Sequence, residues 1–498
     1  MTDPNTEKVG APLRAWLGLP VLVLPAFLVA MDMPVLHLGM PNVERALHPS
    51  PTAAMWVIDI YGFSLAALLV TMGNVGDRIG RRRIMMIGAG VFGAASTLAA
   101  FAPNVGMLIA ARTLLGIGGA MLLPTSLALI SDLFPRGGRA RSAAVGIWTA
   151  FFASGGAAGS VIGGALLHEF WWGSVFLINL PVVLIVMALA PFVLTESRRT
   201  ALGPIDVLSV GLFAGAVLPL VYAIKHTAVD GLDRYSTGTA LAGLAASVWF
   251  VHRQRRLATP LLDLSLLRRP SFTMALAAAS IGALSWAGMT YLTCIYRQTV
   301  LGCDVLDAAL LGMPMAAAVF LSSVVGVRIG SRWGVTRTIL LALGAAAAGN
   351  LLLVATGVHA GLPWYVAGST TAGLGYGVLF NFASDAAVSA VPTSETGAAA
   401  GISETSLELG GGLGVCLIGS LTATIFRSSG HFAGTLEETI AGARGDPATI
   451  ESARNAFVTG MHIATVASVG AVVITAAAIW VMTVRARRKN HNEVGDPE

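Results

Sequence analysis

Apolar stretches long enough to cross about 30 Å of hydrocarbon recur about fourteen times along the chain, separated by short polar or charged connections. They cover 16–36, 54–72, 84–102, 105–128, 142–166, 174–194, 205–224, 237–251, 271–291, 307–327, 336–354, 362–384, 398–426 and 461–484, with 237–251 the shortest. No run alternates polar and apolar residues with the two-residue period of a barrel strand. An open strand edge finds no hydrogen-bond partner in lipid, so helices are predicted throughout. The expected fold class is an all-α integral membrane protein.

The polar positions orient these helices. Arg78, Arg81, Arg82 and Arg83 share one connection, Arg136, Arg139 and Arg141 another, and further arginines fill every second connection after that. Roughly 23 of the 31 Lys and Arg fall on that side, which the positive-inside rule assigns to the cytoplasm. Both ends, 1–15 and 485–498, are therefore expected inside, the number of spans is expected to be even, and 427–460 is the longest outer loop. Residues 1–13 are polar and carry no cleavable signal.

Composition excludes other classes. Hydrophobic residues make up 55% of the chain, charged residues 11%, and the mean hydropathy is +0.75, values foreign to a soluble domain of this length. The net charge of +5 resides in connections between spans and is no nucleic-acid footprint. Cys294, Cys303 and Cys416 do not form a disulfide framework. Arginine far outnumbers lysine, which hints at a GC-rich bacterial genome. There is no phosphate-binding G-x-x-x-x-G-K-[ST] loop, no His/Cys metal cluster and no nucleophile–base constellation, so neither a cofactor nor an enzyme is expected. Energy for any transport would come from an ion gradient.

Several constellations carry candidate chemistry. The connection 73–83 reads GNVGDRIGRRR. Gly73 and Gly80 permit a tight helix–helix turn, Asp77 can face a helix N-terminus, and Arg78 and Arg81 stand close enough to exchange partners. A topology determinant without a transport role is the alternative. A reduced copy, GSRWGVTR, matches Gly76, Arg78, Gly80 and Arg83 with Gly330, Arg332, Gly334 and Arg337, while Ser331 replaces Asp77. Two related halves, 16–200 and 257–484, are therefore expected, with 201–256 an inserted two-helix hairpin. Gly155, Gly159, Gly163 and Gly164 line one helix face, where a neighbouring helix can approach backbone to backbone.

Ionisable residues inside apolar runs are costly and seldom left without a partner. Arg112 stands in AARTLLGIGGA, either paired in the interior or snorkelling to the outer face. Asp32 lies beside Pro34, which is expected to break its helix, and an ion pair with Arg112 is open to it. Asp59, flanked by Trp56 and Tyr61, is a site acid or an interfacial residue in an aromatic belt. Glu404 and Glu408, four apart, share a helix face; like charges so close repel, so at least one is expected to keep a proton near neutral pH. Polar glue between helices is the other reading of that pair. Asp385 is read as interfacial.

Residues 73–83 resemble the G-x-x-x-D-R-x-G-R-R signature of the major facilitator superfamily, and Arg112 with Gly116 its fourth-helix R-x-x-x-G pattern. The glycines from 155 to 164 are similar to the fifth-helix G-x-x-x-G-P-x-x-G-G-x-L pattern of proton-driven antiporters, with Ser160 in place of proline. Acids like Asp32 and Asp59 occur in the fourteen-span drug:proton antiporters, and ETSLELGGGLG at 404–414 resembles the quaternary-ammonium exporters. The resemblance is densest from Asp32 to Asn179 and from Gly397 to Ser420. It implies a major facilitator fold of two six-helix halves plus the hairpin, working by alternating access. The implied activity is proton-coupled export of lipophilic, cationic drugs by a monomer in the bacterial cytoplasmic membrane. Asp32, Asp59, Arg112, Glu404 and Glu408 would bind substrate or proton, with Trp56 and Tyr61 as cavity aromatics. Gly73, Asp77, Arg78, Gly80 and Arg81 would form a cytoplasmic gate latch. An exporter of one endogenous metabolite or antibiotic is the rival, and a non-transporting receptor a more distant one.

Overall fold

The computed structural model describes residues 13–134, 139–197, 206–257, 260–391 and 396–494. Among them the regular structure is entirely helical, with no strand. The helices are α1 (Leu13–Leu47), α2 (Pro51–Ile79), α3 (Arg81–Ala100), α4 (Val105–Leu133), α5 (Arg139–Glu169), α6 (Ser174–Leu177), α7 (Asn179–Val193), α8 (Val207–Asp230) and α9 (Arg234–Gln254). They continue with α10 (Pro270–Ile295), α11 (Val305–Trp333), α12 (Val335–Leu353), α13 (Leu362–Ser389), α14 (Thr396–Ser428), α15 (Leu436–Gly442) and α16 (Pro447–Val494). A 3-10 turn, Leu264–Arg268, leads into α10 and a π-helical turn, Tyr296–Val300, leaves it. By length and apolar composition, 11 candidate spans are present among the described residues. The helices over the runs at 142–166, 237–251 and 362–384 are not among these 11.

Some boundaries differ from the pattern of the sequence. Helix α1 continues through Pro20, Pro25, Pro34 and Pro41, so the break expected at Pro34 is absent. A proline forfeits one intrahelical hydrogen bond, and in a membrane bundle neighbouring helices and local adjustment make good the loss. The stretch 427–460 is partly helical, since α16 already begins at Pro447. Within it, Thr435 and Glu438 form a reciprocal capping box that starts the short α15.

The chain forms two compact units, one of residues 1–215 with 304–310, the other of 216–303 with 311–498. In the first, α5 lies against α1 at backbone distance: a Cβ on Gly155 would stand 2.6 Å from the Phe27 carbonyl oxygen, and one on Gly159 2.8 Å from that of Met31. Helix α4 meets α2 in the same way, through Gly116 at Tyr61. The second unit repeats the scheme. Gly410 and Gly414 of α14 abut the carbonyls of Ser280 and Leu284 on α10, and Gly373 of α13 that of Met315 on α11. The internal repeat seen in the two basic connections therefore extends into how each unit packs.

Candidate functional site

Within the first unit, α1, α2 and α4 meet around Arg112, which is fully buried. Its Nη1 donates to the carboxylate of Asp32, itself 6% exposed. Its Nε donates to the Val57 carbonyl at 3.0 Å and its Nη2 to that of Ile58 at 3.4 Å. The guanidinium lies 4.6 Å over the Tyr61 ring, whose hydroxyl donates to the Val29 carbonyl at 3.1 Å. Arg112 is thus not a snorkelling residue. Tyr61, 1% exposed, is a floor under the guanidinium rather than a wall of open space. Asp59 is completely buried within the protein; Trp56, one turn earlier, is half-buried. Beside Asp32 a narrow crevice runs between apolar walls from Met31, Val35, Val175 and Phe176, with Asn179 at its edge.

The glycines of α5 form the back of this arrangement. Gly155, Gly159 and Gly163 face Phe27, Met31 and Val35 of α1, the turns on either side of Asp32, while Gly164 faces Ala309 in the first turns of α11. Side chains there would push α1 away. Helix α5 runs unbroken from Arg139 to Glu169, and Ser160 directs its hydroxyl to the Gly156 carbonyl at 3.5 Å.

At the turn between α2 and α3, Gly80 adopts φ +125°, a conformation side-chain-bearing residues rarely hold. This lets α3 start at once on Arg81. The Arg81 side chain, 5% exposed, donates from Nε to Asp77 at 2.6 Å and from Nη1 to Asp132 at 2.7 Å, and also reaches the Ala128 carbonyl at 3.2 Å. One guanidinium therefore ties the end of α2, the start of α3 and the end of α4. Glu196, just past α7, accepts from the Arg82 backbone at 3.2 Å, with the side chains of Arg82 and Arg83 at 3.9 and 3.8 Å. Arg78 is half-buried, and a Cβ on Gly73 would make ordinary contact with Pro124.

In the second unit, Glu404 and Glu408 are half-buried one turn apart on α14. Among the described residues no salt bridge or hydrogen bond engages either carboxylate. The glycines that follow them serve packing against α10 and not the site. A second polar cluster joins α10, α12, α13 and α16. There Asn350 donates to Ser285 and Tyr376 at 2.9 Å each, Ser285 and Tyr376 hydroxyls are 2.9 Å apart, and Ser468 donates to Ser285 at 2.8 Å. All its members are buried. The side chain of Asp385 lies outside the described residues.

A profile of the Major Facilitator Superfamily matches residues 22–415. The chain belongs to this superfamily. Its relatives include the multidrug efflux pump LfrA of Mycolicibacterium smegmatis, 36% identical over 95% of this chain and 97% of its own. The methyl viologen resistance protein SmvA of Salmonella typhimurium is 32% identical over 96% of this chain and 100% of its own. Among solved structures, a bacterial homolog of the human lysosomal transporter Spinster, in an inward-facing, unoccupied conformation, aligns with TM-score 0.64 and 18% identity over 95% of this chain and 97% of its own. That likeness concerns the fold. This facilitator is a multi-pass membrane transporter, not an enzyme.

For the facilitator, sequence reasoning singled out Asp32, Arg112 and Asp77 with Arg81, and the structure brings each pair together. It missed Asp132 and Glu196, although both stand just past the ends of apolar runs and close in sequence to arginine clusters. It also missed Ser96 and Asn179, and the Ser285–Asn350–Tyr376–Ser468 cluster. Amides and hydroxyls in apolar runs carry too little cost to stand out as charges do. Lys225, wholly buried on α8, likewise escaped notice.

Proposed function

We propose that this facilitator is a proton-driven efflux antiporter for lipophilic, cationic drugs, with fourteen spans, an inserted hairpin at 201–256 and both termini on the cytoplasmic side of a bacterial inner membrane. The observation that carries the reading is the buried Asp32–Arg112 pair beside a crevice. A carboxylate held by a guanidinium away from water is a two-state element. Unprotonated, it neutralises Arg112; protonated, it frees the cation and changes which helices are held together. Relatives named for multidrug efflux and methyl viologen resistance support drugs as the cargo, and methyl viologen is itself a dication.

Glu404 and Glu408 are assigned to the drug. A lipophilic cation leaves water readily with its apolar part but needs a negative partner for its charge, and two half-buried carboxylates with no ion pair among the described residues supply one. Export then follows from exchange: drug displaces a proton from a carboxylate on the inner side, and a proton displaces drug on the more acidic outer side. The Arg81 cluster serves as the inner latch. The transporter works as a monomer.

Inverted membrane vesicles test this directly. Drug uptake should be accompanied by proton release and should collapse with an uncoupler while ATP remains high. Uptake that survives the uncoupler and follows ATP sinks the reading. A dedicated exporter of one natural product is the second reading, favoured by likeness to the tetracenomycin C resistance and export protein of Streptomyces glaucescens, 28% identical over 84% of this chain. A panel of dyes, biocides and antibiotics in an exporter-deleted host separates the two.

A further inference from the structure

Asn179 presents an unusual account of its polar atoms. The residue is 2% exposed, and its Nδ2 donates to the Ser96 hydroxyl at 3.0 Å, which fixes the amide plane. Its Oδ1 is buried and receives no hydrogen bond. A buried acceptor left without a donor is costly and uncommon enough in native folds to call for a reason. The same side chain lines the crevice that Asp32 lines.

The second unit shows how the counterpart positions bond to one another, although the Oδ1 of Asn350 there is likewise buried without a hydrogen bond. Met31 packs on Gly159 as Leu284 packs on Gly414, so Asp32 and Ser285, each the next residue, hold equivalent places. Phe92 of α3 meets Gly118 as Ala346 of α12 meets Gly375; one turn further on stand Ser96 and Asn350. Val183 of α7 covers Gly93, and Val472 of α16 clusters with Ala347; one turn before them stand Asn179 and Ser468. In the second unit Ser285 is bonded directly to both Asn350 and Ser468. The first unit sets an acid, a hydroxyl and an amide at the same three places.

We infer that Asn179 is a positioning residue for the coupling proton: its Oδ1 accepts the hydroxyl of Asp32 once that carboxylate has been protonated. The inference rests on the proton-driven reading above. The step balances simply. A proton from the outer side adds to an Asp32 oxygen, the ion pair to Arg112 is given up, and the new O–H donates to Asn179. Loss of the proton to the inner side restores the ion pair. Among the described residues, the other ionisable groups on the helices packed about Asp32 are Arg112 on α4, Asp59 and Tyr61 on α2 and His37 farther along α1, all buried. Helix α5 contributes glycines at this level, and α7 has no ionisable side chain.

The test follows drug and proton flux in vesicles as a function of outer pH, with the amount of transporter in the membrane measured alongside. A hydrogen bond to the neutral acid favours protonation. Its loss in Asn179→Leu should therefore move the outer pH of half-maximal export lower by about 0.4–1 unit, with full rate regained at acid outer pH. A merely structural defect would lower the rate at every pH. Asn179→Ser, which places in the first unit the side chain found in the second, should hold the wild-type midpoint. Ser96→Ala, which frees the amide, should shift it the same way by less, and it carries the test if the leucine variant does not reach the membrane. A midpoint unchanged in Asn179→Leu and Ser96→Ala, or shifted as far in Asn179→Ser as in Asn179→Leu, overturns the inference. Wild-type export without proton release would instead remove the antiport reading on which it rests.

Discussion

Arg112 is the side chain whose environment constrains the most. Breaking a buried pair by removing one partner costs about 3–5 kcal/mol, whereas replacing both can be nearly neutral. Asp32→Asn should therefore lower the thermal stability of the purified transporter and abolish coupling together. The double variant Asp32→Asn/Arg112→Met should recover most of the stability and none of the coupling. Thermal unfolding and vesicle assays on the same preparations check both; equal stability of the single and double variants would mean that the pair contributes little to the fold. Glu404 and Glu408 differ, because no ion pair among the described residues depends on them. Glu404→Gln and Glu408→Gln should leave insertion intact while proton-coupled export is lost. Normal exchange in both would make the pair structural. Charges were legible at this scale because each is expensive in lipid; Asn179 and Ser468 were not, since a neutral polar group in a run of Leu and Val reads as noise until its partner is seen.

Helices tell a different story about glycine. The seam on α5 was legible from spacing alone, since Gly155, Gly159 and Gly163 recur every four residues in a run without charge. Gly410 and Gly414 were hidden inside a motif read for its acids, yet they do the same work against α10. Space around the residue, not its identity, should decide the cost of change. Gly159→Val would place carbon against the Met31 backbone, and overpacking of this kind costs about 1–3 kcal/mol or more. Gly156, three residues away with nothing within 4 Å of a new Cβ, should accept alanine freely. Size-exclusion profiles of the two variants compare them directly; equal yields would mean that α5 and α1 do not meet at backbone distance. The turn between α2 and α3 invites a parallel comparison. Asp77→Asn removes one of two carboxylates on Arg81 and leaves Asp132 in place, so expression should hold while turnover slows. A wild-type rate would reduce the motif to a topology signal.

At the scale of the molecule, the repeat was legible only where both copies kept the same letters, in the basic connections around Gly80 and Gly334. Packing shows it reaching much further, because backbone-to-backbone contact preserves position while the letters drift: Asp32 and Ser285 share a place but no chemistry. The two copies have diverged into an ionic cluster and a neutral one. That difference bears on how the protein enters the membrane. Arg112 lies 80 residues after its partner, and the chain is made from its N-terminal end. An arginine at the centre of a lone helix costs about 2.5–3.5 kcal/mol to insert. When α4 leaves the ribosome, however, α1 has already delivered Asp32 to the bilayer, so the carboxylate is waiting for the guanidinium. Asp32→Leu should then reduce the fraction of α4 that inserts during synthesis, a defect readable by glycosylation mapping of chains stalled after α4. In the second copy no such order of arrival matters, because serine, asparagine and tyrosine can each enter lipid alone.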